Sequence, residues 1–432
     1  MKLAVIADDL TGANDTGVQF AKQGLNTTVL FSDTQLLPTH LSEDVIVLNS
    51  DSRALNFGKA YDVVFNISAQ LNKLNVSNVF KKIDSTMRGN IGAEIDAVMD
   101  VFKFKTSFVV PAFPKSNRIT VNGKHYVNNV LLEETEIAND PACPVKISYL
   151  PKLLQEQSKR KVELISITDV RKGKSHLSEK MNMVSSRTMA NIIIVDATTD
   201  EELQTIVEAA QTLNENFLWV GSAGIAYHLF STDHREEPLR KTQDGERLPV
   251  LVVAGSVNSI THRQIQELKE KNNVEEIVIS PEEFFDEDRR KLEIERIVEA
   301  GQALLEKSDL VVTTNRERET ISRIKNLQRA RGLSNFDVGY TIAEAMGEIA
   351  GQLIESKSIC GAVLTGGDIA GATCKVLKGE GIRVIGEVEA GIPYGKLFGG
   401  LFDGLPLVTK AGAFGTEQAL AKALQTITEV NA

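Results

Sequence analysis

The sequence predicts an α/β protein of two domains, each a largely parallel β-sheet flanked by helices. Three observations lead there. Short runs such as Leu3–Ala7, Asn191–Val195 and Leu248–Ala254 are almost wholly apolar, as strands covered on both faces must be. Segments of helical spacing alternate with them, for example Leu203, Ile206, Val207 and Ala210, and that alternation implies parallel crossovers. Between the halves, Ser231 to Arg247 is dense in charge, carries a proline and has no periodicity. It reads as a linker at 232–246 joining domains at 1–231 and 247–432, the number expected for 432 residues.

Composition narrows the function. The hydrophobic share of 42% and charged share of 25% supply an ordinary globular core. A formal net charge of -10 excludes a nucleic-acid partner and means that an anionic ligand must be met by local Lys and Arg. Cys143, Cys360 and Cys374 form no CxxC pair, which argues for a reducing compartment and against structural zinc. Met1–Ala7 turns acidic too soon for a signal peptide, and no apolar run nears the roughly 18 residues of a membrane span. A cytoplasmic protein without a membrane partner is expected.

The first strand, Leu3–Ala7, ends in Asp8-Asp9-Leu10-Thr11-Gly12-Ala13 and enters a helix carrying Val18, Phe20, Ala21 and Leu25. Ligands of open α/β sheets sit beyond the carboxyl ends of strands, so Asp9, and after it Asp8, is a ligand or catalytic candidate. Helix capping is the competing role for one of the two. Thr27–Phe31 and Val45–Leu48 are the next strands, the latter followed by Asn49-Ser50-Asp51-Ser52-Arg53. After a helix near Tyr61–Leu71, a β-leaning run at Val76–Phe80 leads into Lys82-Ile83-Asp84-Ser85-Thr86-Met87-Arg88-Gly89-Asn90, then a helix from Ile91. A lysine, a carboxylate, two hydroxyls and an arginine at one strand-to-helix turn suit a small anionic polyol. Arg88 can fork onto a carboxylate, Lys82 adds a point charge, and Asp84 and Ser85 can bond hydroxyls. Asn90 is the expected helix cap. Ser107–Pro111 is a strand, and Asn122-Gly123 between alternating residues is a hairpin turn. Lys115 and Arg118 extend the positive rim, whereas His125 reads as structural. Lys161–Ile165, Asn191–Val195 and Phe217–Val220 complete the half. The last ends in Gly221-Ser222-Ala223-Gly224, where backbone can approach either a ligand or a neighbouring strand.

The second half repeats one device. Strands Leu248–Ala254, Gly361–Leu364 and Leu405–Thr409 each run into a small-residue turn before a helix: Gly255-Ser256, Thr365-Gly366-Gly367-Asp368-Ile369, and Lys410-Ala411-Gly412-Ala413-Phe414-Gly415. Leu310–Thr313 is a further strand, Ile342, Ala345, Ile349 and Leu353 mark a long helix, and Arg383–Leu401 reads as hairpins. Glycine turns at helix starts let peptide N–H groups face an oxyanion, which points to di- or triphosphate. The named motifs do not match. Gly366–Thr373 has the Walker glycine spacing but Ala372 in place of the lysine, and no strict GxGxxG occurs.

These residues resemble a known family. Asp8–Ala13, Lys82–Gly89 and Pro111-Ala112-Phe113-Pro114 resemble the N-terminal domain of the four-carbon acid sugar kinases. Gly255-Ser256, Leu364–Asp368 and Lys410–Gly415 resemble their nucleotide-binding C-terminal domain. The resemblance implies an ATP-dependent kinase acting on the terminal hydroxyl of D-threonate, D-erythronate or a 3-oxo-tetronate. Asn14–Gln19 is most similar to the stretch found in kinases of D-threonate. It further implies that the acid contacts Asp9, Arg53 and Lys82–Ser85, and that ATP contacts Ser256, Gly366, Gly367, Asp368, Ile369 and Gly412. The active site would lie in the interdomain cleft. On this reading Arg88, with Arg53 or Lys82, holds the carboxylate, Asp9 or Asp84 takes the hydroxyl proton, and Mg2+ bridges the phosphates near Asp368. Sugar acid and ATP are the partners, and a homodimer is compatible with the reading. The rivals are a nicotinamide-dependent hydroxy-acid oxidoreductase, against which the missing dinucleotide fingerprint counts, and a non-catalytic sugar-acid sensor, which leaves the phosphate-type turns without a purpose.

Overall fold

Ala4–Ile6 are fully buried in β1 (Leu3–Ala7), the middle of the first of two units seen in a computed structural model of the chain, Met1–Arg235 and Glu236–Ala432. The structure describes residues 1–32, 34–140, 142–186, 191–230, 247–255 and 258–431. The predicted linker at 232–246 and Ser256 lie outside them, and the other candidate site residues lie within them.

In the first unit β1 is followed by α1 (Leu10–Ala21), β2 (Thr27–Leu30), β3 (Val45–Asn49), α2 (Phe57–Lys73), β4 (Val79–Lys82), α3 (Ile91–Phe102) and β5 (Thr106–Val110). A small antiparallel sheet, β6 (Arg118–Val121), β7 (Lys124–Val127) and β8 (Val130–Leu131), leaves the main layer here. Then come α4 (Leu150–Gln157), β9 (Lys161–Ile165), α5 (Ile167–Val170), α6 (Lys174–Ser185), β10 (Asn191–Val195), α7 (Asp200–Ala210), β11 (Leu218–Gly221) and α8 (Ala223–Ala226). The main strands order as β2-β3-β1-β4-β11-β5-β10-β9 and all pair in parallel. Parallel strands covered on both faces explain why the apolar runs were legible.

In the second unit β12 (Val250–Ala254) leads to α9 (Ser259–Lys271), β13 (Val274–Ile279), α10 (Glu287–Leu304), β14 (Asp309–Thr314), α11 (Arg318–Arg331), α12 (Asn335–Ser356), β15 (Gly361–Thr365) and α13 (Gly367–Val376). The chain closes with the hairpin β16 (Gly381–Glu389) and β17 (Ile392–Phe398), then β18 (Pro406–Lys410) and α14 (Ala419–Asn431). Strands order as β13-β14-β12-β15-β18-β17-β16, with β17 antiparallel to both β16 and β18 and the other pairs parallel.

The predicted strands recur within two residues at each end, with one exception. The run at Val76–Phe80 pairs only from Val79. Asn75 is left-handed (φ 58) and the Val76 N–H turns back to the Leu71 carbonyl, ending α2 instead of starting a strand. The shift puts Lys81 and Lys82 inside β4. Asn90 also departs from expectation. It precedes α3, but its side chain makes no cap bond and donates instead to the Leu55 carbonyl at 2.7 Å. The Gly221–Gly224 turn serves close strand packing: a Cβ at Gly221 would lie 2.6 Å from the Val110 carbonyl oxygen, and one at Gly224 2.5 Å from that of Ala112.

Helix α13 is seated on α12 through missing side chains. A Cβ at Gly347 would lie 2.7 Å from the Ala372 carbonyl carbon and 2.8 Å from the Thr373 nitrogen, both backbone. Gly339 on the same helix has open space around its Cβ position. Gly339→Ala should therefore be neutral or stabilising by up to about 1 kcal/mol through helix propensity. Gly347→Ala should cost about 1–3 kcal/mol through overpacking. Urea denaturation of the two variants measures the contrast.

Candidate active site

Chain order reverses between β1 and β4, so the carboxyl ends of β3, β1 and β4 stand at the switch point of the first unit's sheet. Three loops meet there. Asp8 and Asp9 leave β1, Ser50–Arg53 leave β3, and Ile83–Ser85 leave β4.

One guanidinium organises them. Arg53 Nε and Nη2 donate to the two oxygens of Asp8 at 2.8 and 3.1 Å, and Nη1 and Nη2 donate to those of Asp9 at 2.6 and 2.7 Å. Asp84 lies 3.9 Å from Nη2. Burial alone would raise both β1 carboxyls. At Asp8, Arg53 with Lys81 and Lys82 overrides burial and holds the group below its ordinary range. At Asp9 burial prevails, helped by the negative charge of Asp8, and its carboxyl is pushed up. Asp9 also caps α1, accepting the Gly12 N–H at 2.8 Å. The capping role and the site role thus fall on one side chain.

Strand alternation sends the two lysines of β4 opposite ways. Lys81 is fully buried, 2.8 Å from the equally buried Glu94 of α3, and donates to the Ile6 and Lys82 carbonyls. Ser52 completes this layer by donating to Glu94 at 2.7 Å. Burial pushes the Glu94 carboxyl above its usual range. Lys82 turns towards α1. Its Nζ donates to the Ile83 carbonyl, and among the described residues no carboxylate lies within 4.0 Å of it. Gly12 makes the room: a Cβ there would be 2.6 Å from Asp9 Oδ1 and 2.8 Å from Lys82 Nζ.

Asp84 folds its own turn. It accepts from Thr86 Oγ1 at 2.5 Å and from Arg88 Nε at 2.7 Å, while the Met87 N–H closes on its carbonyl. Burial opposes ionisation at Asp84, but Arg53 and Arg88 hold it well below the carboxylate range. The fork of Arg88, expected to meet a ligand, is engaged by Asp84 and, at 3.3 Å, by Asp140. Ile83 takes part through its main chain, its N–H bonding the Gly221 carbonyl. Ser85 sits half-buried in the turn, and its carbonyl meets His125 Nε2 at 2.8 Å. Burial drives the His125 imidazole down to about 4, so it is a neutral strut, as its sequence context suggested. Lys115 stands apart from the cluster, over the Tyr227 ring and 3.9 Å from Asp200. The sequence did not disclose Lys81, Glu94 or Asp140. A lysine pair ending a strand was their only signal.

In the second unit β12, β15 and β18 are adjacent, so their glycine turns stand side by side. Gly366 adopts φ 111, which glycine alone takes easily, and its N–H bonds the Lys410 carbonyl at 2.8 Å. Gly367, Asp368 and Ile369 form the first turn of α13, with Asp368 exposed and Ile369 buried. In the last turn, buried donors collect the carbonyls. Lys410 Nζ bonds those of Ala411, Gly412 and Phe414, Thr261 bonds Gly412, and Gln264 bonds Phe414, Gly415 and Thr416. Burial lowers the Lys410 amine to about 8. With its carbonyls drawn inward, this turn and the start of α13 offer peptide N–H groups to an anion. That fits a phosphate chain. Among the described residues no group of three or more His, Cys, Asp or Glu could hold a metal ion.

Comparison with known proteins gives each half of the chain a domain family. A sugar-binding N-terminal domain model matches residues 3–229, and a nucleotide-binding C-terminal domain model matches 251–420. A D-threonate kinase of Salmonella typhimurium is 37% identical over 433 residues, covering 100% of this chain and 99% of the relative. The chain belongs to the four-carbon acid sugar kinase family. It is therefore a phosphotransferase, and the oxidoreductase and sensor readings fall away. A D-erythronate kinase of Heliobacterium modesticaldum is 32% identical, covering 96% of this chain and 95% of that one. The crystal structure of Haemophilus influenzae protein HI1011 shares the fold, with a TM-score of 0.76 at 23% identity over 98% of this chain and 100% of that chain. No helix among the described residues is long and apolar enough to cross a membrane.

Gly12 gives this kinase a clean test. Alanine suits helices better than glycine, and the atoms its methyl would meet are the movable ends of Asp9 and Lys82. Gly12→Ala should shift the melting temperature by less than about 4 °C. Displacing that carboxylate and amine should nonetheless cut kcat/KM for the sugar acid about 10²-fold. Thermal melts and steady-state kinetics on one preparation check both.

Proposed function

We propose that this kinase transfers the terminal phosphoryl group of ATP to the 4-hydroxyl of D-threonate, giving ADP and 4-phospho-D-threonate. The observation that carries the proposal is Arg53 holding Asp8 and Asp9 together beside the ammonium of Lys82, which among the described residues no carboxylate pairs. Two aligned carboxylates accept hydroxyl protons, and a nearby cation balances incoming phosphate charge. The D-threonate kinase of Salmonella typhimurium, full-length and 37% identical, supports D-threonate over D-erythronate or a 3-oxo-tetronate.

In this mechanism Asp9 accepts the proton of the 4-hydroxyl as the oxygen attacks phosphorus. Its raised carboxyl suits a base better than the depressed Asp8 or Asp84 does. Asp84 and Ser85 bond the remaining hydroxyls, Asp8 holds Arg53 in register, and Lys82 meets the transferring group. Arg88, steadied by Asp84, lies at the carboxylate end of the acid. Gly366 to Ile369 and Gly412 take the phosphates through main-chain donors, and Ser256 contacts ATP, as the family resemblance implies. Mg2+, held by the phosphates with Asp368 nearby, would neutralise phosphate charge, and such ions need only one or two protein carboxylates. The domains are taken as 1–231 for the acid and 247–432 for the nucleotide, in a cytoplasmic enzyme.

ADP release over a panel of four-carbon acids, with the product's phosphorus position read by NMR, tests the assignment. Highest kcat/KM for D-threonate with a phosphate on C4 is expected. A panel that never exceeds background ATP hydrolysis would refute it. Asp9→Asn keeps an acceptor for the Gly12 N–H but removes the base, so kcat should fall by about 10²–10⁴-fold. Turnover near the parent rate would exclude Asp9 as the proton acceptor.

A further inference from the structure

Arg53, Arg88, Arg160 and Arg171 of the first unit each have a carboxylate of the protein within hydrogen-bond reach. Among the described arginines of that unit, Arg118 is the exception. Among the described residues no carboxylate lies within 4.0 Å of it. Its Nη1 bonds the Ser116 carbonyl of its own loop, while its Nε is buried with no acceptor. A guanidinium cannot shed its charge, so partial burial without a counter-ion is a standing cost.

The fold shows which way Arg118 looks. Arg118 and Thr120 are two apart on β6 and share a face. Thr120 Oγ1 meets His125 Nδ1 at 3.0 Å, and His125 Nε2 reaches the Ser85 carbonyl at 2.8 Å. That face of the hairpin is therefore fastened to the Asp84–Arg88 turn. The charged groups acting on Arg118 agree: Asp84, Asp15 of α1, and Arg88. Two of the three belong to the site turn, and neither aspartate is close enough to pair.

We propose that Arg118 is the residue that binds the carboxylate of the sugar acid, with Arg88 beside it, and that it selects acids over neutral polyols. The proposal rests on the substrate reading above. Arg53 and Arg88 spend their forks on Asp8, Asp9 and Asp84, which keeps those carboxylates aimed at hydroxyls. Among the described arginines of the first unit, Arg118 alone has no carboxylate on its fork. A four-carbon acid supplies the missing acceptor for its Nε and gains a forked, charge-assisted pair. A polyol with a hydroxymethyl group in place of the carboxylate leaves that cation unpaired.

The test compares D-threonate with D-threitol, its neutral counterpart, in the parent enzyme and in Arg118→Met and Arg118→Lys. In Arg118→Met the KM for D-threonate should rise about 30–100-fold, as for loss of one partner of a buried charge pair. The KM for ATP and the kcat/KM for D-threitol should change by less than about threefold, since neither uses this contact. Arg118→Lys keeps charge without the fork and should fall between the two, which guards against a misfolded methionine variant. An unchanged preference for acid over polyol in both variants overturns the proposal, as does an equal loss on both substrates. If the parent enzyme turns over no four-carbon acid, the substrate reading fails first and this proposal falls with it. Parent turnover with intact selectivity in the variants removes Arg118 alone.

Discussion

The doubled fork of Arg53 is the constraint on which the candidate substrate site depends. Asp8, buried, and Asp9, half-buried, are adjacent in the chain at the end of one strand, an arrangement that would drive one of them to protonate. Four N–H donors from one guanidinium hold both in place. Because Arg53 comes from the loop after β3, the fork also ties the carboxyl end of β3 to that of β1, beside the point where the sheet order reverses. Lysine could not do this, since its ammonium is a point charge without the planar edge that meets two carboxylates at once.

A second layer supports the first. Lys81 and Glu94 pair beneath the site, and Ser52 and Ser50 link that pair to the Arg53 loop and to the Ala7 carbonyl. Buried ion pairs of this kind add little net stability, but removing one partner leaves a costly charge. Their value here is positional, because the loops they pin carry Arg53 and Asp84. The second unit works on backbone dipoles instead. Lys410, Thr261 and Gln264 gather the backbone carbonyls of the glycine turn at the candidate phosphate site. One site is shaped by charge against charge, the other by charge against dipoles.

Much of this was legible in the sequence because the chemistry sits where strands end. Apolar runs located the parallel strands, and the polar or glycine-rich residues just after them located both candidate sites. What could not be read was pairing. Nothing in the order of residues says that Arg88 folds back on Asp84, that Lys81 is swallowed by Glu94, or that Asn90 abandons its helix for the Leu55 carbonyl. The edge strand β13, Val274–Ile279, escaped notice because Glu275 and Glu276 break its apolar run. Val76 looked like strand because a β-branched residue has that propensity, but the helix before it claimed its N–H. Such outcomes depend on which distant groups compete for one donor, and that is settled only by the fold.

The most direct measurement is the kinetics of Arg53→Lys with its fold followed by circular dichroism. If the guanidinium's shape holds the aspartates, the variant keeps a native spectrum and loses about 10²-fold or more in kcat/KM for the four-carbon acid. A native spectrum with near-parent kinetics would show that positive charge alone suffices, and the account built on the fork would be wrong.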